Sequence, residues 1–372
     1  MKVLHFADVH LGMSNFGRLD TATGLHTRVL EFLDAMDYMI DTAEEEQVDL
    51  VLFAGDAYRT RSPTPTLVKL FSERIIRLAN ICPVVMLVGN HDMQRGGDEK
   101  KHSTSISSNL SALHNIYVLD EICCTEMDEC CIVSLPWVYD PDIDTVVDAL
   151  DDALAASNDD KPCILLGHCT VQGASTGSYE FGADLGKSIV YPISLFEECF
   201  DYVALGHIHK HQNVGKNIVY SGSIERVDWG ERDDDKGFVI ADIDMERTKW
   251  KFVSAMPVPM LNIELEYKDI KKLRNIDVED AIVRVVINMS RDGIPNSTVR
   301  AKVMDYLGTN YHILDALNIS TPKIVRAQAA SGLSSMSTMD LLESYFENAN
   351  LSDARIDELL DAAEDIINED ID

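Results

Sequence analysis

Residues 205–212 read LGHIHKHQ and place histidines at 207, 209 and 211. On a continuing strand, alternate residues share a face, so all three could line one metal site. The segment alone leaves open how many do. The same residue types recur elsewhere: Asp8 and His10 in ADVH, Asp56 in AGDAYR, Asn90, His91 and Asp92 in GNHD, and His168 in LGHCT. Carboxylate, amide and imidazole donors without a thiolate suit a borderline divalent ion such as manganese, iron or zinc. Asp8, His10, Asp56, Asn90, His168, His207 and His209 are too many donors for one ion. They suit two ions about 3.5–4 Å apart that share a carboxylate, an arrangement used for hydrolysing phosphoesters.

Each of these groups follows a short apolar run: KVLHF, DLVLF, PVVMLV, CILL and YVAL. Such runs read as buried strands of about five or six residues with functional groups just past their carboxyl ends. Helical patterns fall between the early ones, at roughly 25–47 and after SPTPT, where Pro63 and Pro65 suit the start of a helix. The alternation predicts a layered α/β core with its site along one strand edge. From about 216 to 255 the pattern turns to hairpins, consistent with a second sheet packed on the first. Pro257 and Pro259 mark a boundary. Beyond it, MLNIELEY, a helical stretch near 276–281, AIVRVVINMS, a helix near 297–308 and a last short strand predict a small α+β domain. The expected division is therefore 1–256, 257–326, a small and polar linker at 327–339, and an amphipathic helical pair at 340–372.

The chain has 372 residues, 46% of them hydrophobic, and a net charge of −31. Residues 341–372 hold eleven acids against Arg355 alone, so −10 of that charge sits in the tail and −21 elsewhere. Acidic chains repel nucleic acid at long range. Any action on DNA must therefore rely on local bases, metal ions or a partner. No apolar run approaches a membrane span or a signal peptide core, and eight cysteines point to reduced thiols. The expectation is a soluble cytoplasmic protein. ICCTEMDECC offers CC-x5-CC, but adjacent strand residues face opposite ways, so a hairpin is expected rather than a zinc site. His5, His26, His114 and His312 are read as structural or surface residues.

The ordered motifs D-x-H, GD, GNHD, GH and GHxH resemble the calcineurin-type metallophosphoesterase superfamily over about residues 4–210. The resemblance implies a four-layer α/β/β/α core with two packed sheets. It also implies a ligand set. Asp8, His10, Asp56 and His209 would hold one ion, and Asp56, Asn90, His168 and His207 the other, with Asp56 bridging. Water activated between the ions would attack phosphorus, and His91 would protonate the leaving oxygen. Asp92 either orients His91 or caps the next turn. His211 is left as a neutral bystander at the rim or behind the ligands.

Further features resemble the SbcD-type DNA repair nucleases: FADVHLG at the start, LPWV at 135–138, and YSGSIERVDWGERDDDKGFVIADID at 220–244. What this implies is a manganese-dependent exonuclease and endonuclease acting on DNA ends as a homodimer. Its helical tail would dock on an SbcC-type coiled-coil ATPase, although a self-packing helical hairpin is the plainer reading of that pair. Arg18, Arg59, Arg61, Lys100, Lys101 and Arg226 are candidate strand contacts. Arg59 departs from the His or Asp usual at that position in these nucleases, so no exonuclease role is carried over to it. The remaining alternatives are a hydrolase of small phosphodiesters and a catalytically dead assembly protein.

Overall fold

The computed structural model describes residues 1–93, 106–138, 142–176, 189–197, 199–289, 294–308, 312–318 and 360. The strands are β1 (Lys2–Phe6), β2 (Leu50–Phe53), β3 (Val84–Leu87), β4 (Ile116–Leu119), β5 (Cys124–Glu126), β6 (Cys131–Leu135), β7 (Cys163–His168), β8 (Thr170–Val171) and β9 (Val190–Tyr191). They continue as β10 (Tyr202–Gly206), β11 (Gln212–Gly215), β12 (Ile218–Tyr220), β13 (Gly237–Asp242), β14 (Lys249–Ser254), β15 (Met260–Glu266), β16 (Ile282–Met289) and β17 (Ile313–Asn318). The helices are α1 (Thr27–Glu46), α2 (Pro65–Ala79), α3 (Ile143–Ala155) and α4 (Asn296–Leu307). In α2, Thr64 caps the first turn and Pro65 opens it. Its ring presets φ at a position whose N–H has no helical partner.

Two six-stranded sheets form the core, ordered β14-β13-β1-β2-β3-β4 and β11-β12-β10-β7-β6-β5. Period-two alternation explains how they stack. Val3, Leu50, Leu52 and Ala54 meet Ile132, Ile164, Leu166 and Ala204 of the second sheet. The intervening Leu4, Phe6, Val51 and Phe53 pack under α1 and α2. On the far side, Val133, Leu165, Val203 and Leu205 pack against Val146, Leu150 and Ala153 of α3. The four-layer α/β/β/α architecture follows from strands that are apolar on both faces.

The second sheet is assembled differently from the sequence expectation. The hairpin β13–β14 extends the first sheet, because β13 pairs antiparallel with β1. The second sheet is built on β7 and β10, which pair in parallel with each other. Apolar runs look alike whichever sheet they join, so strand order was not readable from them. Another difference lies near the expected helix at 276–281. The helical turn there is a 3₁₀ segment at Tyr267–Asn275, burying Ile270 and Leu273 three residues apart. The paired cysteines do form a hairpin, with Cys124 opposite Val133 and Glu126 opposite Cys131, and all eight thiols are free.

The chain divides into two compact units. One comprises 1–263, 276–284 and 309–313, and the other comprises 264–275, 285–308 and 314 onward. Within the second, Arg274 pairs with Asp305 at 3.1 Å and lies over the Tyr306 ring. The linker at 327–339 lies outside the described residues, as does the tail at 340–372 apart from Leu360.

His5 ties the two sheets together. Its Nδ1 accepts from the Tyr202 hydroxyl at 3.0 Å and its Nε2 donates to the Leu205 carbonyl at 3.2 Å. Burial lowers its pKa from 6.5 to about 3, only partly opposed by the Leu205 hydrogen bond. The unfolded chain therefore takes the proton first as pH falls. Stability is flat above about 6.5 and falls between there and about 3. Between pH 7 and pH 5 this one group should remove about 2 kcal/mol. Urea unfolding in the presence of a chelator should show a pH dependence smaller by that amount in His5→Phe; an unchanged slope would refute the assignment.

Candidate dimetal centre

The parallel strands β1, β2 and β3 of one sheet and β7 and β10 of the other deliver the candidate donors from their carboxyl ends. The sheets converge at that edge. A Cβ on Gly206, the last residue of β10, would collide with the Ala54 carbonyl. One on Gly55 (φ 95°) would come within 2.6 Å of His168 Nδ1. Four donor residues themselves lie in the left-handed region: Asp8 (φ 51°), His10 (45°), Asp56 (62°) and His207 (87°). Asp and His tolerate this conformation better than branched residues do, but it is still local strain of about 1–3 kcal/mol each, offset by the packing around it. It turns successive side chains toward the same point.

Three overlapping groups of donor atoms result: Asp8, His10 and His209; Asp8, Asp56 and His168; and His10, Asp56 and His91. Within each, the atoms lie within 4.8 Å of one another. Asp56 stands at the centre. Its Oδ2 is 3.6 Å from His10 Nε2 on one side and 3.6 Å from His168 Nε2 on the other. Two donors sharing an ion at about 2.1 Å are separated by about 3.0–3.5 Å, so the spacing needs little adjustment.

Hydrogen bonds behind the rings show which nitrogens face the centre. His168 Nδ1 donates to the Ala54 carbonyl at 2.7 Å, which turns Nε2 toward Asn90 Oδ1, 2.9 Å away. His209 Nδ1 donates to Glu231 Oε1 at 2.7 Å, which turns its Nε2 toward His10 Nε2, 2.9 Å away. Imidazole nitrogens, an amide oxygen and carboxylates therefore converge in a buried space, where positive charge from a proton or a cation reconciles them. The same demand appears in His168. Burial would lower its pKa, yet the Asp56 charge and hydrogen bond dominate and hold it up to about 9. Residues with this donor chemistry fit divalent cations.

His207 comes to the cluster through its backbone, whose N–H donates to both Asp8 carboxylate oxygens at 3.0 Å. Its ring leans on Trp137, with centroids 4.8 Å apart. Trp137 belongs to the LPWV segment and gains a place here that its sequence did not specify. His91 is half-buried at the margin. Its N–H donates to Asp56 Oδ1 at 2.8 Å and its Nδ1 donates to the Arg59 carbonyl at 2.8 Å. That leaves Nε2 as the nitrogen able to exchange a proton with a substrate.

Of the two roles left open for Asp92 above, its contacts do not support orienting the His91 ring. Its oxygens accept from the backbone N–H groups of Asp56 (2.8 Å), Ala57 (2.9 Å) and Gly89 (3.0 Å). It pins the loop carrying Asp56, and the His91 ring is set by Arg59 instead. His211 is in none of the three donor groups. Its Nδ1 donates to the Tyr220 carbonyl at 2.8 Å, its ring stacks on Phe252 at 4.1 Å, and burial lowers its pKa. The strand ends at Gly206 and left-handed His207 breaks the alternation, so His211 does not follow the other two.

The basic candidates separate. Arg61 Nε donates to the Asn90 carbonyl at 3.2 Å, on the rim of the cluster. Arg59 reaches Ser14 Oγ at 3.4 Å, and Arg18 is exposed. Arg226 donates to the carbonyls of Val258 (2.7 Å) and Asp234 (3.3 Å) within the protein. Lys100 and Lys101 lie outside the described residues. Glu231 and Lys236 were not foreseen. Both fall inside the 220–244 signature, which was the available signal, but nothing in it linked them to His209.

Among the described residues, no helix is long and apolar enough to cross a membrane. Over 284 residues the chain is 28% identical to a protein from Staphylococcus saprophyticus named as the D component of the nuclease SbcCD, covering 72% of this chain and 73% of that one. It is 29% identical over 297 residues to the protein of the same name from Staphylococcus epidermidis, covering 73% and 74%. Among solved structures, a dimetal phosphatase from Danio rerio aligns with a TM-score of 0.43 at 12% identity, covering 69% of this chain and 97% of that one. The calcineurin-like phosphoesterase family matches residues 1–211, the stretch that supplies every donor described above. The chain belongs to the calcineurin-like phosphoesterase family.

Proposed function

We propose that this chain is a metal-dependent DNA nuclease of the kind its staphylococcal relatives are named for, cleaving phosphodiesters at a two-ion centre. The observation that carries the hydrolytic reading is Asp56, one carboxylate oxygen standing 3.6 Å from imidazole nitrogens on either side. Asp8, His10, Asp56 and His209 would hold one ion and Asp56, Asn90, His168 and His207 the other, with manganese as the expected metal. Such ions supply Lewis-acid activation of water and of the phosphoryl oxygens. The protein's own residues do the rest. Asp92 and the Arg59 carbonyl fix Asp56 and His91, and His91 Nε2 delivers a proton to the departing oxygen. Arg61 and Arg59 would meet a phosphate of the strand.

The DNA substrate is supported by likeness across nearly three-quarters of both chains. In this reading residues 1–256 form the nuclease domain, 257–326 a capping domain, and 340–372, beyond the 327–339 linker, a helical pair. That pair would bind a coiled-coil ATPase of the SbcC type, and two nuclease chains would work as a dimer. Such a partner would supply the basic surface that a chain of charge −31 lacks. The test is digestion of 3′- and 5′-labelled duplex with manganese, with and without the co-expressed ATPase. Cleavage from ends is expected. Intact ends together with rapid hydrolysis of small phosphodiesters would overturn the nuclease reading and leave the phosphoesterase.

A further inference from the structure

The two halves of the centre are backed differently. The His168 ring is held by a neutral backbone carbonyl, that of Ala54. The His209 ring is held by the carboxylate of Glu231 at 2.7 Å, with both residues almost fully buried. The second Glu231 oxygen accepts from the Val227 N–H at 2.8 Å and pairs with Lys236 Nζ at 2.9 Å. Lys236 is fully buried and donates to the His209 carbonyl at 2.8 Å and to Ser223 Oγ at 2.9 Å. Glu231 and Lys236 thus hold both the ring and the main chain of one residue.

A buried ion pair on this scale is costly to desolvate and is weak evidence of stability. Its geometry suits orienting a ligand. A carboxylate behind an imidazole fixes the tautomer and raises the basicity of the far nitrogen more than a carbonyl does. Asp8 is grouped with donors of both sides, and on the His168 side Asn90 adds a neutral amide oxygen 2.9 Å from Nε2. We infer that Glu231 is a positioning residue that makes the two ion sites unequal, with the ion on the His209 side held the more tightly. The inference rests on the dimetal reading above and goes beyond it by ranking the sites and naming the cause.

The test is manganese titration of the full chain by calorimetry after chelation. Wild type should bind two ions per chain in two resolved steps. In Glu231→Gln the tighter step should weaken about 10–100-fold while the weaker step stays in place. Because that variant strands the Lys236 charge, Glu231→Gln combined with Lys236→Met removes both buried charges and should show the same selective loss. A second measurement needs no substitution of the pair. Nitrogen-15 spectra of metal-free wild type, assigned by the signal missing from His209→Gln, should show His209 protonated at Nδ1. Two ions in wild type with both steps unchanged in the variants, both steps weakened equally, or an Nε2–H tautomer would each overturn the inference while leaving the dimetal centre. Wild type that binds no manganese would overturn both.

Discussion

His91→Ala should lower cleavage of duplex DNA by about 10²–10⁴-fold, the range supplied by a positioned general acid, while two manganese ions still bind. The ring lies close enough to His10 and Asp56 to be counted among donors, so a role as ligand has to be separated from a role as acid. Two readouts do this. Calorimetric stoichiometry should remain two, because the proposed ligand set leaves out His91, whose Nδ1 is held by the Arg59 carbonyl and whose backbone is held by Asp56. The loss should also depend on the leaving group. p-Nitrophenolate leaves its phosphodiester without needing a proton, so the variant should cleave that substrate nearly as well as wild type does. Equal losses on both substrates with a stoichiometry of one would make His91 a ligand instead.

Asp56→Asn should have a broader effect, because one residue faces donors on both sides. Its Oδ2 faces His10 and His168, its Oδ1 accepts the His91 N–H, and its own backbone is pinned by Asp92. The amide keeps the shape and removes the charge. Activity should fall below about 10⁻³ of wild type, a barrier increase of about 4 kcal/mol, and both manganese steps should weaken together. Binding to the native state alone adds about 2.7 kcal/mol of stability per ion at a hundredfold excess over its dissociation constant. Manganese should therefore raise the melting temperature of wild type, and that rise should largely disappear in the variant. Retention of one tight ion would show that Asp56 serves a single site. The contrast with Glu231→Gln, which should weaken one step only, makes the pair of experiments more informative than either alone.

Much of this centre was legible in the sequence because its information is local. Each donor follows an apolar run, and a run of alternating or continuous apolar residues reports its own strand wherever that strand ends up. ADVH, GD, GNHD, GH and GHxH therefore pointed to the candidate donors and the edge they occupy, and the helices at 27–46 and 65–79 fell close to where periodicity and capping put them. Tertiary structure alone decided what each polar group touches. Three neighbouring backbone N–H groups claimed Asp92, two distant carbonyls claimed Arg226, and Phe252 claimed His211. Trp137 met His207 from the segment that follows β6. Glu231 reached His209 across 22 residues, through a turn whose path depends on β13 pairing with β1. Local periodicity carries which way a side chain points along its own strand. Which group it meets there is set by the order in which strands from distant segments pair, and no local pattern in the chain encodes that order.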